Sequence, residues 1–226
     1  MKRIFTIIAL VAMGMLVFTA CEPSIGGYGK NKHKGHEYVD LGLSIKWATC
    51  NVGAETPEDY GDYFAWGEVE PKTTYDWSTY KYGADRDQLT KYCNNSEYGK
   101  DGFTDNKTVL DPEDDAVAVN WGGAWRMPTK AEQDELRNNC TWTWTTQNGV
   151  NGYKVTGPNG NSIFLPAAGC MYDGSLYGAG SCGYYWSSSL DTGGPYLADC
   201  VYFGSDGVGW YYIDRYYGHS VRPVCQ

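Results

Sequence analysis

The hydrophobic positions fall into one unbroken run, several two-residue alternations and two short helical stretches. Ile4 to Phe18 is apolar apart from Thr6 and Gly14, behind a cationic Met1-Lys2-Arg3 start. As a helix these fifteen residues would span about 22 Å, short of the ~30 Å hydrocarbon core of a bilayer, so the run reads as a secretory signal rather than a membrane span. Further on, Tyr38-Val39-Asp40-Leu41 and Ile45-Lys46-Trp47-Ala48 predict a strand pair turning at Gly42. Tyr153 to Thr156 and Ser162 to Leu165 flank Gly157-Pro158-Asn159-Gly160 and predict a hairpin. Three more strands are expected near residues 184–188, 198–203 and 220–224. Asp111, with Pro112 behind it, is expected to cap one helix. Thr129-Lys130-Ala131-Glu132 reads as a capping box opening a second helix that runs to about Asn138. Pro57 to Lys81 is aromatic and contains glycine, and residues 82–108 read as a polar surface insertion. Strands around two helices make an α+β domain.

Residues next to the apolar run sharpen the compartment. Phe18-Thr19-Ala20-Cys21 resembles a bacterial lipobox, which makes residues 1–20 a lipoprotein signal peptide and Cys21 the lipidated first residue of the mature chain. Residues 22–36, rich in Gly and Lys, read as a flexible tether, with the domain spanning 37–226. Membrane attachment through that lipid, at an outer membrane and on the cell surface, is the expected localisation.

Charge narrows the partners. Without Lys2 and Arg3 the chain keeps 16 basic residues against 27 acidic ones, a net −11 that leaves no electrostatic footprint for nucleic acid. Eight cysteines in an exported chain point to disulfides. With Cys21 lipidated, Cys50, Cys93, Cys140, Cys170, Cys182, Cys200 and Cys225 remain, an odd number that requires at least one unpaired thiol.

Several short motifs carry a family resemblance. They are Tyr38-Val39-Asp40-Leu41-Gly42-Leu43-Ser44, Trp47 to Ala54, Tyr63-Phe64-Ala65-Trp66-Gly67-Glu68 and Trp125-Arg126-Met127-Pro128-Thr129. Leu165-Pro166-Ala167-Ala168-Gly169, Tyr185-Trp186-Ser187-Ser188-Ser189 and Ser220-Val221-Arg222-Pro223-Val224 follow in order. Together they resemble the Fibrobacter succinogenes major paralogous domain family over about Glu37 to Cys225. The resemblance implies a C-type-lectin-like fold, a small twisted antiparallel sheet with two flanking helices and long loops. It implies no single activity, since fold does not give function.

The segment from Tyr184 to Gly218 has a composition of its own. It holds eight tyrosines, with Gly, Ser and Asp between them, and no Lys, Glu, Gln or Asn, although twelve asparagines precede it. Tyr with Ser and Gly is the chemistry of adaptable binding surfaces, because Tyr offers a large amphipathic contact at low entropy cost. Interleaved residues such as Trp186, Ala198, Phe203, Val208, Trp210, Arg215, Gly218 and Val221 read as framework. This alternation resembles the variable region of proteins diversified by a retroelement, in which adenines of template Asn codons are randomised; Cys200 would then be one product. The expected ligand-binding residues are Asp191, Gly193, Gly194, Tyr196, Asp199, Tyr202, Gly204, Gly207, Gly209, Tyr211, Tyr212, Asp214, Tyr216 and Tyr217, and the ligand an extracellular protein or glycan.

Catalysis finds no constellation. His33 and His36 lie in the expected tether and His219 stands alone, so neither a metal centre nor a cofactor is expected. The acids of residues 111–115 are explained by a helix start. Glu70-Pro71-Lys72 departs from the Glu-Pro-Asn pattern of calcium-dependent lectins. The formylglycine-generating enzymes share the implied fold, but the surroundings of Cys182 and Cys200 do not match their copper-binding pair. Two readings remain. One is a surface module that binds a ligand through its tyrosine face. The other is a structural or adhesin-like envelope component whose aromatic face is fixed and packs against neighbours.

Overall fold

A computed structural model describes residues 31–226. The signal peptide, Cys21 and the first part of the expected tether lie outside the described residues. The chain forms β1 (Asn31–His33), β2 (His36–Val39) and β3 (Lys46–Ala48), then α1 (Ala116–Asn120) and α2 (Lys130–Asn139). After α2 come β4 (Thr141–Gln147), β5 (Val150–Thr156), β6 (Ser162–Pro166), β7 (Cys170–Tyr172) and β8 (Ser175–Tyr177). The last strands are β9 (Cys182–Leu190), β10 (Leu197–Gly204), β11 (Gly207–Asp214) and β12 (Val224–Cys225). Small antiparallel sheets with two helices make the fold α+β. Their orders are β1-β2-β3-β12, β4-β5-β6, β11-β10-β9 and β7-β8. Among the described residues no helix is long and apolar enough to cross a membrane.

The β9–β10–β11 sheet separates two cores, and period-two alternation explains how. Trp186 and Cys200, which face each other across the ladder, join a core with Trp66, Trp125 and Tyr92. Tyr185, Val201 and Phe203, one residue out of phase, join the other with Trp47, Tyr153, Val155 and Leu136.

The motif residues bond mainly to one another. The Trp66 indole donates to the Ser187 carbonyl at 2.9 Å, and the Trp186 indole donates back to the Phe64 carbonyl at 2.8 Å. Arg222 is buried and donates to Asn51 Oδ1 and to the carbonyls of Ala48, Thr49 and Phe164, which ties the end of the chain to β3 and β6. Thr129 and Glu132 form the expected capping box, and Glu132 also binds Arg126.

Several expectations are corrected. The tether does not extend to His36. His33 Nε2 accepts from the Ala124 amide and its carbonyl from the Trp125 indole, while His36 stacks on Trp121 at 3.6 Å. Asp111 caps nothing, being held by Lys91 and Lys107; a 3₁₀ turn (Pro112–Asp114) follows it, and Asp115 caps α1 by accepting from Val117 and Ala118. Residues 82–108 are not merely a surface insertion. Tyr82, Leu89, Tyr92 and Cys93 are buried, and the Tyr82 and Tyr92 hydroxyls both donate to Asp114. Although burial opposes it, hydrogen bonds from Lys91, Tyr82, Tyr92 and Lys81 hold the Asp114 carboxyl down at about 2.

Of residues 220–224 only Val224 enters a strand, while β4, the β7–β8 hairpin and β11 join the expected set. The expected disulfides are absent among the described residues. All seven cysteines are free, and Cys93, Cys170, Cys200 and Cys225 are buried as small apolar side chains.

Candidate ligand-binding face

β9, β10 and β11 present the tyrosines in a fixed order. Tyr184 pairs with Tyr202 across β9 and β10, and Tyr202 with Gly209 across β10 and β11. Gly209 leaves room there, with nothing within 4 Å of where a side chain would begin. Tyr211 pairs with Cys200, so Tyr184, Tyr202 and Tyr211 rise from one face, with ring centroids 4.8 to 6.2 Å apart. Alternation sends Tyr212 to the other face, yet its ring lies 6.3 Å from that of Tyr211 and only 14° off parallel. Tyr211 and Tyr212 are 46% and 62% exposed, more than a core role would allow.

The chain from Gly218 to Ser220 is threaded beside this sheet. Phe64 and His219 exchange backbone hydrogen bonds, Met171 and Gly218 do the same, and Trp186 N donates to the Ser220 carbonyl. The threading buries His219 against Trp186 and Tyr184, at 4.0 and 4.9 Å. Neither ring nitrogen has a hydrogen-bond partner. Burial pushes its pKa down to about 3, so the imidazole is neutral at physiological pH and serves as an aromatic plate under the face.

The same threading joins the sheet to the β7–β8 hairpin. Tyr217 lies 6.2 Å from His219 and stacks on Tyr172 at 5.0 Å; Tyr216 packs against Tyr172 and Trp77. Tyr172 reaches Tyr177 at 6.2 Å, and Tyr172, Leu176 and Tyr177 are exposed. The aromatic surface therefore runs from β8 to β11 and includes residues upstream of the expected segment. Their signal was Tyr172 and Tyr177 among Gly174, Gly178 and Gly180, the same Tyr and Gly pattern as the later segment.

The other expected residues divide by position. Asp191, Gly193, Gly194 and Tyr196 form the β9–β10 loop at one end of the sheet, where Tyr196 packs on Tyr98 and under Arg86. Asp214 ends β11 at the same end; half-burial pushes its carboxyl up. Gly204 and Gly207 flank the tight turn at the opposite end. Tyr216 and Tyr217 are half-buried. Asp199 is not brought to the face: it is buried and accepts from Lys130 at 3.3 Å on the α2 side. Trp210 is fixed on that side too, its indole donating to Asp134 with Lys130 Nζ 3.4 Å from its ring.

Chemically, the face offers aromatic surface and hydroxyls. Among the described residues, the hydroxyls of Tyr172, Tyr177, Tyr196, Tyr202, Tyr211 and Tyr212 have no hydrogen-bond partner in the protein. No group of three or more His, Cys, Asp or Glu side chains is placed to hold a metal ion among those residues. A separate cleft of about 620 Å³ lies near β2, lined by Lys32, His36, Glu37, Cys50, Thr56 and Trp121 among others, and touches none of these tyrosines. No protein-family model, no curated protein and no solved structure matches this chain.

Proposed function

We propose that this chain is a lipid-anchored, cell-surface protein that binds an extracellular protein or glycan through the tyrosine face, on a C-type-lectin-like scaffold of the family its motifs resemble. The observation that carries the reading is the set of neighbouring tyrosines whose rings are accessible and whose hydroxyls have no internal partner. A core tyrosine needs its hydroxyl satisfied, and a contact tyrosine keeps it for the ligand. The division of the segment into buried and open positions supports diversification as well. Trp186, Ala198, Phe203, Arg215, Gly218 and Val221 are buried, whereas Gly193, Asp206, Gly207, Tyr211 and Tyr212 are open. Variation at the open positions would change the ligand and spare the core.

The test is to offer the full-length protein to arrayed glycans and arrayed extracellular proteins, beside a variant with Tyr211→Ala and Tyr212→Ala. A specific hit that the variant loses, with its thermal midpoint within a few degrees of the parent, supports the reading. No hit, or a collapse of the midpoint, overturns it. Diversification is tested by sequencing the DNA for residues 184–224 across many cells. Substitutions confined to the open positions, with a nearby template copy carrying adenines there, support it, and a uniform sequence without such a copy removes it.

A further inference from the structure

β11 is an end strand of its sheet, in unbroken register with β10 from Gly207 to Asp214. Among the described residues, no hydrogen bond from outside that ladder reaches the backbone of Val208 to Ile213. An eight-residue edge of this kind is a template for another strand, and proteins usually blunt such edges with lysine, proline or a bulge. β11 has none of these. Its side chains alternate between faces, as strand addition requires, and Tyr211 and Tyr212 supply an exposed ring on each side.

Charge points to the occupant. From Val155 to Asp214 there is no Lys, Arg, His or Glu, but there are five aspartates. Asp199 is paired with Lys130. Asp173, Asp191, Asp206 and Asp214 form no ion pair among the described residues. Asp206 lies in the turn before β11 and Asp214 is its last residue, so a carboxylate stands at each end of the open edge. The tyrosine ring faces between them attract cations as well.

We propose that the open edge of β11 takes an extended, lysine- or arginine-bearing polypeptide as an added strand, with its cationic side chains meeting Asp206, Asp214 and the rings of Tyr211 and Tyr212. This rests on the ligand-binding reading above and names the partner's chemistry. Backbone pairing supplies the geometry, and the carboxylates and rings select the charge.

The test uses the full-length protein and a fluorescent ten-residue peptide of alternating lysine and valine, read by anisotropy. Two control peptides accompany it. One carries glutamate for lysine; the other keeps the lysines but is N-methylated at alternate residues, which removes the donors an added strand needs. The lysine peptide is expected to bind, and each control to bind at least about tenfold more weakly. Gly209→Lys, at a site with open space and no left-handed backbone, should leave the thermal midpoint in place and weaken the lysine peptide about tenfold or more by like-charge repulsion. Asp206→Asn with Asp214→Asn should weaken it in the same direction.

Equal binding of the methylated peptide would mean charge attraction without strand pairing and would overturn the proposal. So would failure of the lysine peptide to bind, or concentration-dependent dimerisation abolished by Gly209→Lys, which would assign the edge to a second copy of the chain. An array hit that depends on Tyr211 and Tyr212 but does not compete with the lysine peptide would overturn this inference and leave the broader reading standing. Absence of any such hit would overturn the broader reading itself.

Discussion

The protein contains two populations of tyrosine that differ in what their hydroxyls do. In the framework, Tyr63, Tyr75, Tyr80, Tyr153 and Tyr185 donate to the carbonyls of Ala168, Tyr63, Trp66, Gly204 and Pro166, and Tyr82 and Tyr92 donate to Asp114. On the face, Tyr172, Tyr177, Tyr202, Tyr211 and Tyr212 meet other rings and donate to nothing in the protein among the described residues. The same residue type thus serves as a specified structural joint in one region and as unspecified contact area in the other. An internal bond fixes where a tyrosine must be, while ring-to-ring contact tolerates substitution.

The largest effect that separates the regions is expected at Arg222. Arg222→Ala strands Asn51 Oδ1 and three buried carbonyls. A loss of about 3 kcal/mol or more is expected, seen as a steep fall in the thermal midpoint. A mild effect would mean that the ends of the chain are not joined through this residue.

The next effect is acid sensitivity. The folded His219 has its pKa pushed down to about 3 from 6.5 by burial. Between those values the unfolded chain binds a proton that the folded one does not, so stability falls as pH drops below 6.5. The slope approaches about 1.4 kcal/mol per pH unit. Asp114, held at about 2, adds loss in the same direction once pH falls below its ordinary range. Burial raises the pKa values of Asp115, Asp199 and Asp214, which acts oppositely on protonation, so the window from 6.5 to about 5 isolates the histidine best. His219→Phe should flatten denaturation midpoints across that window. An unchanged slope would place the sensitivity elsewhere.

The smallest effect sharpens the comparison most directly. Tyr153→Phe leaves the Gly204 carbonyl without its donor at 3.1 Å and should cost about 1 kcal/mol. Tyr211→Phe removes a hydroxyl that bonds to nothing in the protein and should change stability by less than about 0.5 kcal/mol. Equal costs would erase the distinction.

Legibility in the sequence followed how local each signal was. The β5–β6 hairpin stood out because Gly-Pro-Asn-Gly interrupts two alternating runs, and α2 because Thr129 and Glu132 lie within one turn. Asp111 misled because the same local chemistry stands at Asp115, and only the distant Lys91 and Lys107 decide between them. β11 was hidden because Gly207 and Gly209 weaken its strand pattern, and pairing with β10 overrides that weakness. β4 carries a plain Thr-Trp alternation that was legible and was passed over. At the site, composition located Tyr202, Tyr211 and Tyr212 but gave no facing. It therefore placed Asp199 on the wrong side and stopped short of Tyr172 and Tyr177, which enter only through the threading of residues 218–220.

The reciprocal indole bonds of Trp66 and Trp186 carry a practical consequence. They clamp β9 from beneath, through main-chain carbonyls that every residue possesses, so the clamp is indifferent to the side chains above it. A combinatorial library written across residues 202, 209, 211 and 212 should therefore yield mostly folded members. The protein would then serve as a display scaffold whose recognition can be rewritten without rebuilding its foundation.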